Sequence, residues 1–523
     1  MNLYGSNLFF GMMFVALFVL QFLWLRIPGK QGGAKNLSQN QKALDLAFCI
    51  CTAFAAASLL RLYPGNARPP IQDSSAFLYI GKRMAEGKLP YRDLFDHKGP
   101  LLYLIQRVGI GLTPGSYIGV WILELVSMMI SAWYMQKLAG LVTENRRDAY
   151  LAVLAVLGAC GWMVWQGGNF TEEFALPWIA CAAYICCSFF KSGTYRAPDV
   201  FLLGASFAAV VLLRANMVAV WACYIPTVVI LLVKEKRFSD LGRCILVFLS
   251  GVLLLTGPFV IWAARAGFLR ELWEDYILFN FRYTGSVAVS TADRIRLILL
   301  FAKVLWPASM ALLISLALMP HRKLLWYNLL FFAVSVVSAA MSGRLYYHYA
   351  IVILPAAVLP FACCFDRSAL LLRKKKGNAA VNPAVLLVSL ALMVAGAVSY
   401  RVVFSYTEGD DPLTAYLKEN TKAQDNVLIV GNSCWYYLLA DRKTENRYFY
   451  QLPPMEISAN LRDDFYEELR QNPADCIALP GYREDRDRVD DALGGLRSFL
   501  EAEGGYQREN YDDFEVYFES SIK

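Results

Sequence analysis

The sequence predicts a mainly α, polytopic transmembrane helical bundle of about twelve spans, with interfacial helices in a first large outer loop and a small C-terminal α/β domain. Three observations carry this. The 523 residues are 57% hydrophobic and 18% charged, with a mean hydropathy of +0.40, whereas soluble domains hold roughly a quarter charged residues. The apolar residues gather into long runs: residues 7–25 contain no charge at all, and about twenty such residues cross a bilayer core as a helix. Charge is also divided unevenly. From residue 402 onward there are 25 acids against 13 bases, whereas the rest holds 18 acids against 37 bases. A basic membrane part joined to an acidic tail implies that the two face different surroundings. The pattern excludes a nucleic-acid binder, because the basic residues are explained by the loops of a membrane protein.

The runs lie near 7–25, 44–62, 115–137, 149–165, 172–190, 199–213, 216–233, 242–263, 296–318, 324–341, 349–366 and 383–402. The first lacks the basic flank and small-residue cleavage site of a leader peptide. Alternate loops carry the cations: Arg26 to Lys42, then Arg146 and Arg147, Lys191 and Arg196, Lys234 to Arg237, Arg322 and Lys323, and Arg373 to Lys376. The positive-inside rule makes these cytoplasmic. The expected location is therefore the cell membrane, with the C-terminal domain outside the cytoplasm. The expected division is an extra N-terminal span with a basic loop (1–43), a transmembrane core (44–402, outer loop 64–114) and a soluble α/β domain (403–523). In that domain 427–430, 447–450 and 476–479 read as strands, and 459–471 and 487–502 as helices.

This topology places five segments on the outer face: 64–114, 166–173, the turn at Arg214, 264–295 and 342–349. Nearly every chemically interesting residue falls in them. The most informative is the first, where Asp73 opens a stretch too polar to span. Residues 76–85 read as a helix lying on the membrane, with Phe77, Leu78 and Ile80 dipping in. A turn at Glu86 to Pro90 and a charge-dense segment follow, and Gly99-Pro100 starts a second apolar segment. Most of the twelve cysteines sit in apolar runs, and three histidines without a Cys-x-x-Cys pair make no zinc signature. No metal site and no cofactor are expected.

The order Asp73, surface helix, Gly87-x-x-Pro90-Tyr91-Arg92-Asp93, Lys98-Gly99-Pro100 resembles the first outer loop of GT-C superfamily glycosyltransferases, namely the bacterial relatives of protein O-mannosyltransferases and lipid A aminoarabinose transferases. Gly168-Asn169-Phe170-Thr171-Glu172-Glu173, Arg214 and the 344–355 stretch are similar to later pieces of that family, so the resemblance covers most of the chain. Many relatives carry Asp-Glu where this chain has Asp73-Ser74.

The resemblance implies a membrane glycosyltransferase that moves a sugar from a polyprenyl-phosphate donor to a glycan, lipid or protein acceptor on the outer face, with inversion. It implies Asp73 as general base with Glu172 or Glu173 assisting, and Lys98, Arg214 and Arg92 on the donor phosphate. Asp93, Asp96, His97, Arg344, His348 and Tyr349 are further candidates. Each has a plainer reading. Asp73 suits a helix cap, Lys98 an interfacial anchor, and Glu172 and Glu173 a helix N-terminus. Two other functions stay open: a surface-polysaccharide polymerase or ligase, and a lipid-linked-sugar transporter that catalyses nothing.

Overall fold

The computed structural model describes residues 39–57, 60–64, 69–70, 73–161, 164–165, 167–286, 290–341, 343–376, 411–479, 481, 483–502 and 505–519. The expected spans at 7–25 and 383–402 lie outside the described residues. The chain divides into two compact units. One comprises Met1–Gly65, Trp121–Phe259 and Val289–Ser405, and the other Asn66–Val120, Val260–Ala288 and Tyr406–Lys523.

The first unit is the helical membrane part. Among the described residues five helices are long and apolar enough to cross a bilayer: Ile118–Ala139, Thr171–Ser192, Phe238–Ala266, Arg322–Ala340 and Tyr347–Arg367. Thr291–Val304 and Trp306–Leu318 would make a sixth, but they meet at 86°, where Pro307 follows the break. The expected runs at 199–213 and 216–233 fold as shorter apolar helices, so among the described residues length and composition support five spans, or six with the bent pair, and twelve are not confirmed. The protein is an integral membrane protein. Leu246, Leu253 and Leu254 stand exposed on Phe238–Ala266, as suits a lipid-facing helix, whereas Ile351 to Ala357 are almost wholly buried.

The second unit is built around a four-stranded sheet. Its strands are β1 (Val427–Ile429), β2 (Cys476–Leu479), β3 (Tyr506–Tyr511) and β4 (Phe514–Glu519), in the order β1-β2-β4-β3. β1 and β2 are parallel and the other pairs antiparallel. The core under the sheet draws Leu428 and Ile477 from the strands and Phe465 and Leu500 from helices, but also Phe95 and Phe279 from the two earlier segments. Residues 66–120 thus contribute to one hydrophobic core with the C-terminal residues.

Three expectations change here. Residues 447–450 form no strand. Tyr448, Phe449 and Tyr450 are buried loop residues, because an aromatic-rich run satisfies a core equally well without ladder hydrogen bonds. The 487–502 helix is two helices, Arg483–Leu493 and Leu496–Ala502, broken by Gly494 and Gly495 at φ of 72° and 101°. Phe77, Leu78 and Ile80 do not dip into lipid: on helix Asp73–Ala85 they are 2%, 0% and 0% exposed. The same helix stacks Tyr79 on Tyr437 at 4.5 Å and pairs Arg83 with Glu445 at 2.8 Å. Sequence periodicity found its apolar side, but protein rather than lipid covers it.

Candidate functional site

The site residues fall into two clusters, one in each unit. In the second unit the chain after helix Asp73–Ala85 turns at Gly87 (φ 96°) and again at Tyr91, which holds a left-handed φ of 66°. That strain is stabilised by the ladder bond from the Tyr91 N–H to Leu94 O at 2.8 Å and by complete burial of the ring. Tyr91 then donates its hydroxyl to Lys98 O at 2.7 Å, and the Lys98 N–H donates to the Tyr103 hydroxyl at 3.1 Å. Pro100 starts helix Pro100–Leu112, where its missing N–H costs nothing. The backbone of Lys98 is therefore fixed by two buried tyrosines and a helix start.

Its side chain is 9% exposed. Nζ lies 3.0 Å from His97 Nε2 and 4.0 Å from Asp73 Oδ2. Asp73 is the first residue of its helix and its side chain is 41% exposed, open enough to meet a ligand. Asp96 is buried. Its Oδ1 accepts from the His97 N–H at 2.6 Å and from the Tyr450 hydroxyl at 2.8 Å. Burial pushes the Asp96 carboxyl above the usual carboxylate range, with Lys98 opposing. Arg92 and Asp93 engage each other, at 2.8 and 3.0 Å. Burial works against the Asp93 charge, yet bonds from Arg92 and the Leu89 N–H hold its carboxyl below the usual range. That pair closes a turn.

The first unit carries the other cluster. Gly167, Gly168 and Asn169 all have positive φ, at 120°, 87° and 63°. Gly168 has no room for a side chain: a Cβ would meet Leu60 Cβ at 2.9 Å and Glu124 Oε1 at 3.1 Å. This bend directs backbone donors onto two buried carboxylates. The Asn169 N–H donates to Glu124 Oε1 at 2.5 Å and the Phe170 N–H to Glu173 Oε2 at 3.1 Å. The Glu124 and Glu173 carboxyl groups also interact with each other.

Glu172, next along helix Thr171–Ser192, accepts from Arg214 Nη1 at 2.6 Å. Arg214 ends helix Ala197–Leu213 in an extended conformation. Its Nη2 donates to the Tyr349 hydroxyl at 2.8 Å, and its guanidinium lies 4.2 Å from that ring's centre. His348 stacks on Phe170 at 4.2 Å. Arg344 donates to the Tyr346 hydroxyl at 3.3 Å.

Residues 38–379 match the family described as the competence-induced protein Ccs4 N-terminal domain. The chain belongs to that family. It is named for competence induction, which specifies no chemistry, and no curated protein matches the chain. The solved structures that the Ccs4-family chain is similar to include two of ArnT. ArnT from Cupriavidus metallidurans bound to undecaprenyl phosphate is 14% identical, with a TM-score of 0.60 over 92% of this chain and 98% of that one. Its apo state is 13% identical, with the same TM-score and coverage. The Ccs4-family chain therefore shares the fold of ArnT along nearly its whole length, as the first-loop motifs implied.

Sequence reading brought out both clusters but missed several members. Glu124 lay unnoticed in the run 115–137, although an acid at mid-span costs about 2.5–3.5 kcal/mol and predicts an interior partner. Tyr450 carried no such signal, since nothing local marks a tyrosine that bonds 354 residues away.

Proposed function

We propose that this protein is a membrane glycosyltransferase that moves a sugar from a polyprenyl-phosphate donor to an acceptor hydroxyl on the outer face, with inversion. One observation carries the reading: an ArnT-like fold over 92% of the chain with Lys98 beside a half-exposed Asp73.

In this reaction the acceptor oxygen attacks the anomeric carbon from the side opposite the phosphate. The new carbon–oxygen bond forms as the bond to the phosphate oxygen breaks, and that oxygen keeps the electron pair. The acceptor's proton passes to the Asp73 carboxylate, a step worth typically 10²–10⁴-fold. Lys98 balances the charge that grows on the leaving phosphate. Glu172 orients Arg214, to which it is already bound. Arg92 is left out, because its donors face Asp93.

Cells lacking the protein should accumulate a sugar linked to polyprenyl phosphate, and the purified chain should discharge that lipid onto an acceptor. If no such lipid accumulates and none is consumed, the reading fails. The reading also places Ser433 outside and Lys375 in the cytoplasm. A single cysteine at position 433 in a cysteine-free background should react with an impermeant maleimide in intact cells, and one at 375 should not. The reverse labelling would move the chemistry to the cytoplasmic face.

A further inference from the structure

Lys98 is the end of a chain of polar contacts that starts in the C-terminal residues of its own unit. The Tyr450 hydroxyl donates to Asp96 Oδ1 at 2.8 Å and lies 3.5 Å from His97 Nδ1. Asp96 Oδ1 is in turn 3.3 Å from His97 Nδ1, and His97 Nε2 is 3.0 Å from Lys98 Nζ. An ammonium group can only donate, so Nε2 must be the accepting nitrogen. The ring proton then sits on Nδ1, facing Asp96, and the tautomer is set by the partner on the far side. The imidazole cannot swing away from this arrangement. It stacks on Tyr283 at 5.5 Å and packs against Phe279 at 5.4 Å, and Asn280 Nδ2 donates to its backbone carbonyl at 2.7 Å.

The segment bearing Tyr450 is anchored to the same loop from its other end. The Phe95 N–H donates to Arg447 O at 2.9 Å, and Arg447 Nε donates to Tyr91 O at 2.7 Å. Residues 447–450 thus run alongside residues 91–98 and are tied to them at both ends.

We propose that Tyr450 is a positioning residue for donor binding, holding the Lys98 ammonium in place through Asp96 and His97. This rests on the reading that Lys98 binds the donor phosphate. One ammonium proton is engaged by His97, and Asp73 at 4.0 Å lies beyond hydrogen-bond reach, so a further proton can meet a phosphate oxygen. Without the hydroxyl, Asp96 loses a donor and the imidazole loses its fixed tautomer, so Lys98 meets the phosphate from a wider range of positions. The C-terminal segment then contributes to recognising the lipid headgroup without touching it.

The test is a titration of the full detergent-solubilised chain with undecaprenyl phosphate, read by native mass spectrometry, beside undecaprenol as the uncharged probe. Lys98→Ala should weaken binding of the phosphate by about tenfold or more. Tyr450→Phe keeps the ring and loses only the hydroxyl, and should weaken it about threefold to tenfold. Undecaprenol binding should stay unchanged in Tyr450→Phe. In the Lys98→Ala background Tyr450→Phe should add nothing. Asp96→Asn should reproduce the loss if Tyr450→Phe proves hard to purify.

Unchanged phosphate affinity in Tyr450→Phe, alongside a loss in Lys98→Ala, overturns the positioning role alone. Equal losses for the phosphate and the alcohol also overturn it, because they mark a general disturbance of the unit. Unchanged affinity in Lys98→Ala instead removes the assignment of Lys98 on which the inference stands.

Discussion

Lys98 and Arg214 are the two cations best placed for an anionic ligand, and they are held in opposite ways. Arg214 has a carboxylate at 2.6 Å, a hydroxyl at 2.8 Å and an aromatic face at 4.2 Å. Its charge is already balanced inside the protein. Lys98 is as enclosed, but its nearest partner is an imidazole, and its nearest carboxylate oxygen is 4.0 Å away. Coulomb attraction falls with distance, and a hydrogen-bonded ion pair gains more than one only in proximity. Lys98 therefore retains more of its charge for a ligand, while Arg214 spends more of its charge on the fold. Burial alone would have ranked the two alike; the partners separate them.

The comparison breaks most readily at Arg214. Arg214→Ala leaves Glu172 buried without its counter-ion, and losing one partner of a buried pair costs about 3–5 kcal/mol. Thermal unfolding in detergent should show that loss. A variant as stable as the wild type would mean that Arg214 is free for a ligand in the same way as Lys98.

The next effect is on chemistry. Asp73→Asn preserves size and polarity but cannot take a proton. Turnover should fall on the order of 10²-fold or more, with undecaprenyl phosphate affinity retained. Near-normal turnover would return Asp73 to a capping role and make Glu172 or Glu173 the base.

A smaller effect sharpens the contrast from the other side. Arg214→Lys keeps the charge and loses the two-pronged contact, so it should weaken undecaprenyl phosphate binding less than Lys98→Ala does. The opposite ranking would make Arg214, not Lys98, the cation that holds the phosphate.

The smallest effect is one of pH. Burial pushes the Asp275 carboxyl up to about 7, and Arg447, its ion-pair partner, offsets only part of that. The folded state thus holds the proton more tightly than the unfolded chain, where an aspartate titrates near 3.9. Stability should fall as pH rises from about 4 to 7 and stay lower above that. The melting temperature should be lower at pH 8 than at pH 5, and Asp275→Asn should narrow the gap. An unchanged gap would assign the pH response to other groups.

Much of this was legible in the sequence, for identifiable reasons. A charge between apolar runs is costly, so Arg214 stood out by position, whereas Asp73 and Lys98, in a polar loop, were marked by the family resemblance. Gly87, Pro90 and the Gly99-Pro100 pair marked the turns that now frame Lys98. What stayed hidden depends on contacts between distant residues. Tyr79 and Tyr450 look like ordinary core aromatics until their partners, some 350 residues along the chain, are in view. The β3–β4 hairpin was missed because only Asp512-Asp513 separates two stretches rich in charge. The aromatic stretch at 447–450 has strand-like composition, yet folds as a buried loop against residues 91–98.

The shared core of Phe95, Phe279, Leu428 and Tyr517 bears on how the protein is made. Ribosomes emit residues 66–120 early and residues 427–517 last. Until that stretch is synthesised, helix Asp73–Ala85 has helix Pro100–Leu112 against it but not the C-terminal residues, so Tyr79 lacks Tyr437 and Phe449. A nascent chain would therefore carry Tyr79 and Phe95 without their C-terminal partners until that stretch is made, a binding surface for a chaperone. Truncation before residue 411 would leave them so for good, and quality-control proteolysis, rather than loss of a catalytic group, would be the first consequence.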